Sequence, residues 1–183
     1  FDQLKMFHAS DASRHSLVLK MKYTEKQYYR HQRLYQRGSG SEEAFRTASL
    51  NYEVARLNID RHDIVTALGR SNISMEQLKI KAAGRSADTR QQAADIYSNI
   101  LGIQLALLQK DLEIAEVEIG FYGFLIPEYQ KLCTARTMPL VTCEQAVLKR
   151  ELAKQKKQEI DAKISSFAAA YQGVGKITER LGR

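Results

Sequence analysis

The side chains able to carry chemistry are few, and their spacing suits little of it. The four histidines, His8, His15, His31 and His62, stand at no ligand spacing from carboxylates or cysteines, so no metal centre is expected. His62 falls on an apolar seam, where a packed or rim histidine is expected rather than a ligand. Glu42 and Glu43 are adjacent carboxylates, but they open a helical segment, where negative charge complements the helix dipole without any catalytic role. No glycine-rich phosphate loop follows a strand, because no strand pattern is present. On this inventory the chain is not an enzyme, and no cofactor or small-molecule substrate is expected.

The cysteines say more. Cys133 and Cys143 flank "TARTMPLVT", a loop-like stretch containing Pro139. A disulfide there closes the loop 133–143 and stabilises by roughly 3 kcal/mol on chain-entropy arithmetic. Such a bridge suits an oxidising compartment such as the periplasm or the extracellular space. The same spacing also fits two unpaired thiols in a reducing compartment.

These residues must be positioned by helices. The chain has 183 residues with 2 prolines and no tryptophan, and Ala, Leu, Gln, Glu, Lys and Arg dominate it. That length allows one domain or one elongated module. The formal charge is +7, but acidic residues are interspersed with the basic ones and no dense basic run adjoins a stacking platform. Nucleic acid is therefore not expected as a partner. No apolar run approaches the roughly 20 residues of a membrane span.

Periodicity predicts an all-α protein of four main helices. Helix 1, from about residue 11 to 37, carries one stripe: Leu17, Met21, Tyr28 and Tyr35. Helix 2, from 42 to about 68, carries two. Phe45, Ala48, Tyr52, Ala55, Ile59 and His62 follow the 3-4 spacing of a coiled-coil seam. Leu50, Val54, Leu57, Ile64 and Leu68 run beside them. Two seams require two neighbours.

A breaker region follows, "GRSNISMEQLKIKAAGRSADT", in which Ser74 and Gln77 predict a capping box for a short helix ending at Gly84. Asp88 or Thr89 is the expected cap of helix 3, which runs to about Leu125 with two seams of its own and is then kinked or restarted by Pro127. Helix 4 is expected from Thr142, through a solvated middle "KRELAKQKKQEIDAK", to an apolar end at Ile160, Ile164, Phe167 and Tyr171. The expected division is a first hairpin over 1–70 with its tip near 37–41, a linker with a short helix over 71–88, and a second, longer hairpin over 89–183 with its loop near 133–143. The arms of the second hairpin reach roughly 55 to 65 Å at 1.5 Å per residue. The expected architecture is elongated antiparallel coiled-coil hairpins forming a three- to four-helix bundle.

The first tip reads "RHQRLYQRGSGSEEAF". Gly38 is placed to take the left-handed position that ends helix 1, Gly40 follows it in the turn, and Ser41 is placed to cap helix 2. Arg30 and Leu34 project from the last turns before the tip. Arg30, Leu34 and Ser41 stand at a spacing that resembles the tip motif of the periplasmic membrane fusion proteins, the adaptors of tripartite efflux pumps and type I secretion systems. "SEEAFRTASLNYEVARL" is similar to the helix that follows the tip in that family.

The resemblance covers about residues 11–68. It implies a non-enzymatic periplasmic adaptor that docks tip-to-tip with a TolC-like outer-membrane channel through Arg30, Leu34 and Ser41. It also implies an inner-membrane transporter as second partner and is compatible with a homo-oligomer. Two other readings fit the helical pattern: an extracellular or secretion-apparatus coiled-coil scaffold or receptor that binds another protein, and a fragment of an outer-membrane channel protein.

Overall fold

The computed structural model describes the backbone of residues 2–81 and 87–181 and the side chains of 11–79, 89 and 91–167. The protein is all-helical: α1 spans Asp2–Gln36, α2 Glu42–Lys81, α3 Ala87–Thr134 and α4 Leu140–Leu181, and no strand occurs among the described residues. Each helix packs on its neighbour in the chain, α1 on α2, α2 on α3 and α3 on α4. Among the described residues α1 touches neither α3 nor α4, and α2 does not touch α4. The helices therefore form an open row with α1 and α4 at its edges, not a closed bundle. Surface area reflects this: 12817 Å² is exposed, against about 8,900 Å² for a compact monomer of this size.

The two-seam pattern of α2 is why it lies inside the row. One seam meets α1 through a ladder of rings, in which Tyr28 lies 5.5 Å from Tyr52 and 5.8 Å from Phe45, and Tyr35 stacks on Phe45 at 5.4 Å. Such pairs add stability beyond the area they bury. On α1, Thr24 fills the gap in the stripe between Met21 and Tyr28. It is buried, and its hydroxyl donates back to the carbonyls of Lys20 and Met21, so no polar group is stranded. The other seam of α2 contributes the buried Leu57 and lies along Val117 and Phe121 of α3.

The core is thin and rich in alanine: Ala48 and Ala55 on α2, Ala115 on α3, and Ala146 and Ala153 on α4 are buried. Small side chains let helix axes approach closely. Ion pairs flank the seams, with Arg14 to Asp63 (2.7 Å) between α1 and α2, Arg61 to Asp111 (2.6 Å) between α2 and α3, and Lys157 to Glu116 between α3 and α4. Each is partly solvated and contributes little alone. The Arg14 guanidinium, hydrogen-bonded to Asp63, holds that carboxyl below its ordinary range.

Several helix boundaries differ from the sequence-based expectation. Residues 70–81 form the last turns of α2 rather than a breaker and a separate short helix. Ser74 does not cap: its hydroxyl donates to the Arg70 carbonyl within the helix, and Asn99 of α3 donates to the Ser71 hydroxyl at 3.1 Å. The packed neighbour thus outweighs weak local propensity. The expected stop at Gly84 lies outside the described residues, as does the Tyr171 side chain.

At the other end of α3, the helix crosses Pro127 and continues to Thr134. An interior proline costs about 3 kcal/mol. Leu125 and Ile126 just before it are both buried, at roughly 1.5 to 3 kcal/mol each, which is enough to hold the helix together. Helix α3 begins at Ala87, ahead of Asp88 and Thr89, and α4 begins at Leu140, so Thr142 lies inside the first turn and is not the cap. The middle of α4 is also not wholly solvated. Cys143, Ala146, Ala153 and Ile160 form a buried seam at helical spacing through it.

Candidate functional site: the hairpin tips

The turn after α1 is built almost entirely from local hydrogen bonds. The Gly38 N–H donates to the Tyr35 carbonyl at 2.9 Å, and the Ser39 N–H to the Leu34 carbonyl at 3.0 Å. This is the Schellman arrangement, with Gly38 in the left-handed region at φ 68°. The Gly40 N–H also donates to the Leu34 carbonyl, at 3.0 Å, drawing the chain tightly across the end of α1. A Cβ on residue 40 would lie 2.9 Å from Leu34 Cβ and 3.0 Å from the Tyr35 nitrogen. Only glycine fits there. Ser41 accepts the Ala44 N–H on its Oγ at 3.1 Å, the N-cap bond of α2, and Glu42 and Glu43 occupy the first turn.

A substitution at Gly40 is therefore a sensitive probe of this closure. Gly40→Val is expected to destabilise by about 1 to 3 kcal/mol, the usual cost of forcing bulk into a closed contact. Urea unfolding reads this directly, and an unchanged midpoint would show that the turn has slack the observed approach does not suggest.

The three residues singled out in the sequence behave differently from one another. Arg30 is exposed and makes no side-chain hydrogen bond or ion pair among the described residues. Leu34, four residues and about 6 Å further along the axis, is partly buried, and its carbonyl closes the turn. Arg30 and Leu34 share a face of α1 by their spacing. Ser41 is exposed, and its cap bond uses only a lone pair, leaving the hydroxyl proton free to donate. Ser41 also borders an open groove between α1 and α2 that includes Tyr23, Gln27, His31, Thr47 and Asn51. Arg30 and Leu34 are not part of its lining.

The second turn lies at the same end of the row, which sequence reasoning did not anticipate. Tyr129 of α3 donates its hydroxyl to Glu43 Oε1 of α2 at 2.6 Å, and the Arg46 guanidinium sits 3.8 Å over the Phe124 ring. Both contacts bind the start of α2 to the end of α3. Nothing local in the sequence signals them, because the partners are far apart in the chain. Cys133 and Cys143 are joined by a disulfide across the second turn. Among the described residues, no group of three or more His, Cys, Asp or Glu side chains is placed to hold a metal ion, and no helix is long and apolar enough to cross a membrane.

The Tyr129–Glu43 bond has a measurable pH signature. Accepting that hydrogen bond, the nearby carboxylate opposes formation of the phenolate, and with partial burial it pushes the Tyr129 pKa up to about 12. A folded-state pKa raised above the unfolded value of about 10 gives stability that is complete below pH 10 and is lost as pH rises through 12. Alkaline unfolding of the parent and of Tyr129→Phe should therefore differ in slope between those limits. Identical slopes would mean that the bond is absent in solution.

Compared with protein-family models, with curated proteins and with solved structures, the chain shows no match.

Proposed function

We propose that the chain is the helical part of a non-enzymatic periplasmic adaptor of a transport or secretion system, built of elongated antiparallel coiled-coil hairpins. In this reading it docks by its first tip to a TolC-like outer-membrane channel and works with an inner-membrane transporter. The observation that carries the reading is the state of Arg30: a guanidinium two turns from the reversal, exposed and without a partner among the described residues, at the spacing from Leu34 and Ser41 that the adaptor tip motif has. The turn itself is closed by Leu34, Gly38, Gly40 and Ser41 and does not draw on Arg30. A charged side chain with no structural task next to a rigid reversal is suited to an intermolecular bond.

On a channel, Arg30 would supply a charge-assisted hydrogen bond, Leu34 an apolar contact and Ser41 a donated hydrogen bond. The disulfide supports an oxidising compartment. The test is co-purification with a TolC-like channel, comparing the parent with Arg30→Asp and Leu34→Asp. Full retention by both variants would leave the coiled-coil scaffold as the better reading.

A further inference from the structure

The two turns are built to one plan. A constant offset carries Gln36 to Thr134 and Glu42 to Leu140, the bounds of the flanking helices. It carries Gly38 to Arg136, which also has positive φ, at 57°. The bonds correspond as well. The Arg136 N–H donates to the Cys133 carbonyl and the Thr137 N–H to the Leu132 carbonyl, as Gly38 and Ser39 do to Tyr35 and Leu34. Even the hydroxyls match, with Ser39 Oγ donating to the Leu34 carbonyl and Thr137 Oγ1 to the Leu132 carbonyl. The same offset carries Tyr35 to Cys133 and Phe45 to Cys143. The stacked rings that staple the first tip are thus replaced in the second by the disulfide.

From this correspondence we propose that the Cys133–Cys143 disulfide is a thiol–disulfide exchange site, and that its reduction by a dithiol unlocks the second tip alone. Beyond these shared bonds, the second tip lacks the glycine, the serine cap and the first-turn carboxylates of the first. A left-handed conformation costs a non-glycine residue roughly 1 to 2 kcal/mol, and Arg136 carries that cost where the first turn has glycine. Pro139 stands in place of the Ser41 cap, and the first turn of α4 contains no acidic residue. Leu140 and Val141, which open α4, are 67% and 55% exposed and add little packing. The covalent bond ties this end of α4 to α3.

The bond is also reachable. Cys133 is partly exposed, Cys143 is buried, and both line an open groove with Gln130, Thr134, Leu140 and Leu148. A thiolate of the dithiol attacks Cys133 Sγ, forming a mixed disulfide as the protein S–S bond breaks. Cys143 leaves with the electron pair as a thiolate near the start of α4, where the helix amides favour negative charge, and then takes a proton. The reductant's second thiolate attacks its own sulfur in the mixed disulfide, so Cys133 leaves as a thiolate and is protonated. The dithiol becomes a disulfide, and its two electrons reside on the two cysteines.

Hydrogen exchange read by mass spectrometry on the native protein, with and without millimolar dithiothreitol, tests this. Reduction is expected without denaturant, and exchange over residues 137–147 should rise by about tenfold or more, while residues 39–49 stay unchanged. Cys133→Ser/Cys143→Ser should exchange fast in that segment with or without the dithiol. Cys133→Tyr/Cys143→Phe, which installs the ring pair of the first tip, should restore protection that dithiothreitol does not remove. A disulfide that resists the dithiol until the protein is denatured overturns the exchange site. Unchanged exchange in the reduced protein or the double serine variant, or an equal rise in both tips, overturns the local lock.

Discussion

Ala115→Asp is expected to destabilise the fold severely. Ala115 is 0% exposed, the most completely covered residue of the core, in the middle of the helix that packs on both α2 and α4. A carboxylate there is removed from water, and its bulk separates helices that pack closely over a methyl group. Desolvation and overpacking together cost about 4 kcal/mol or more, against a total stability of about 5 to 15 kcal/mol for a typical domain. Far-UV circular dichroism should show either lost helicity at room temperature or a melting temperature lowered by about 10 °C or more. The control is Leu148→Asp, at a position 58% exposed, which should change stability by no more than about 0.5 kcal/mol. If Ala115→Asp melts with the parent, α3 is not an inner helix of the row.

The second large effect is functional and leaves the fold intact. Arg30→Asp removes no side-chain bond among the described residues, so helix content and melting temperature should match the parent within about 0.5 kcal/mol. If Arg30 docks as proposed, reversing its charge leaves the partner's acceptor facing a carboxylate. Loss of a buried charge-assisted pair costs about 2 to 5 kcal/mol, a fall in affinity of roughly 30-fold to several thousand-fold. Co-purification with a TolC-like channel, and transport in cells, should both fail. Gly40→Val gives the opposite ranking, since it disturbs the turn and hence stability first. A structural role for Arg30 would instead appear as a fall in melting temperature, and unchanged binding by Arg30→Asp and Leu34→Asp would remove the adaptor reading.

The tips show how much of a site can be read from a sequence. Gly38 as the left-handed terminator and Ser41 as the cap were legible, because a Schellman turn and an N-cap are closed by residues within five positions of one another. The requirement for glycine at position 40 was not, since it comes from the path of the chain over Leu34. The disulfide was one of two readings the spacing allowed, and the approach of α3 and α4 selects between them.

What the sequence alone determined is the helical state of the chain, the two sharp reversals and the inner position of α2 and α3. Helix propensity is local, and two apolar seams on one helix demand two neighbours wherever those neighbours come from. Only the tertiary structure decided that α2 runs on through residues 70–81, that α3 crosses Pro127, and that the middle of α4 carries a buried seam at Ala146 and Ala153. It alone also decided that the helices line up in an open row and that both tips meet at one end, joined by Tyr129 and Glu43. In each case a contact between residues distant in the chain outweighs a local preference of a few kcal/mol, and such a contact exists only once neighbouring helices are packed.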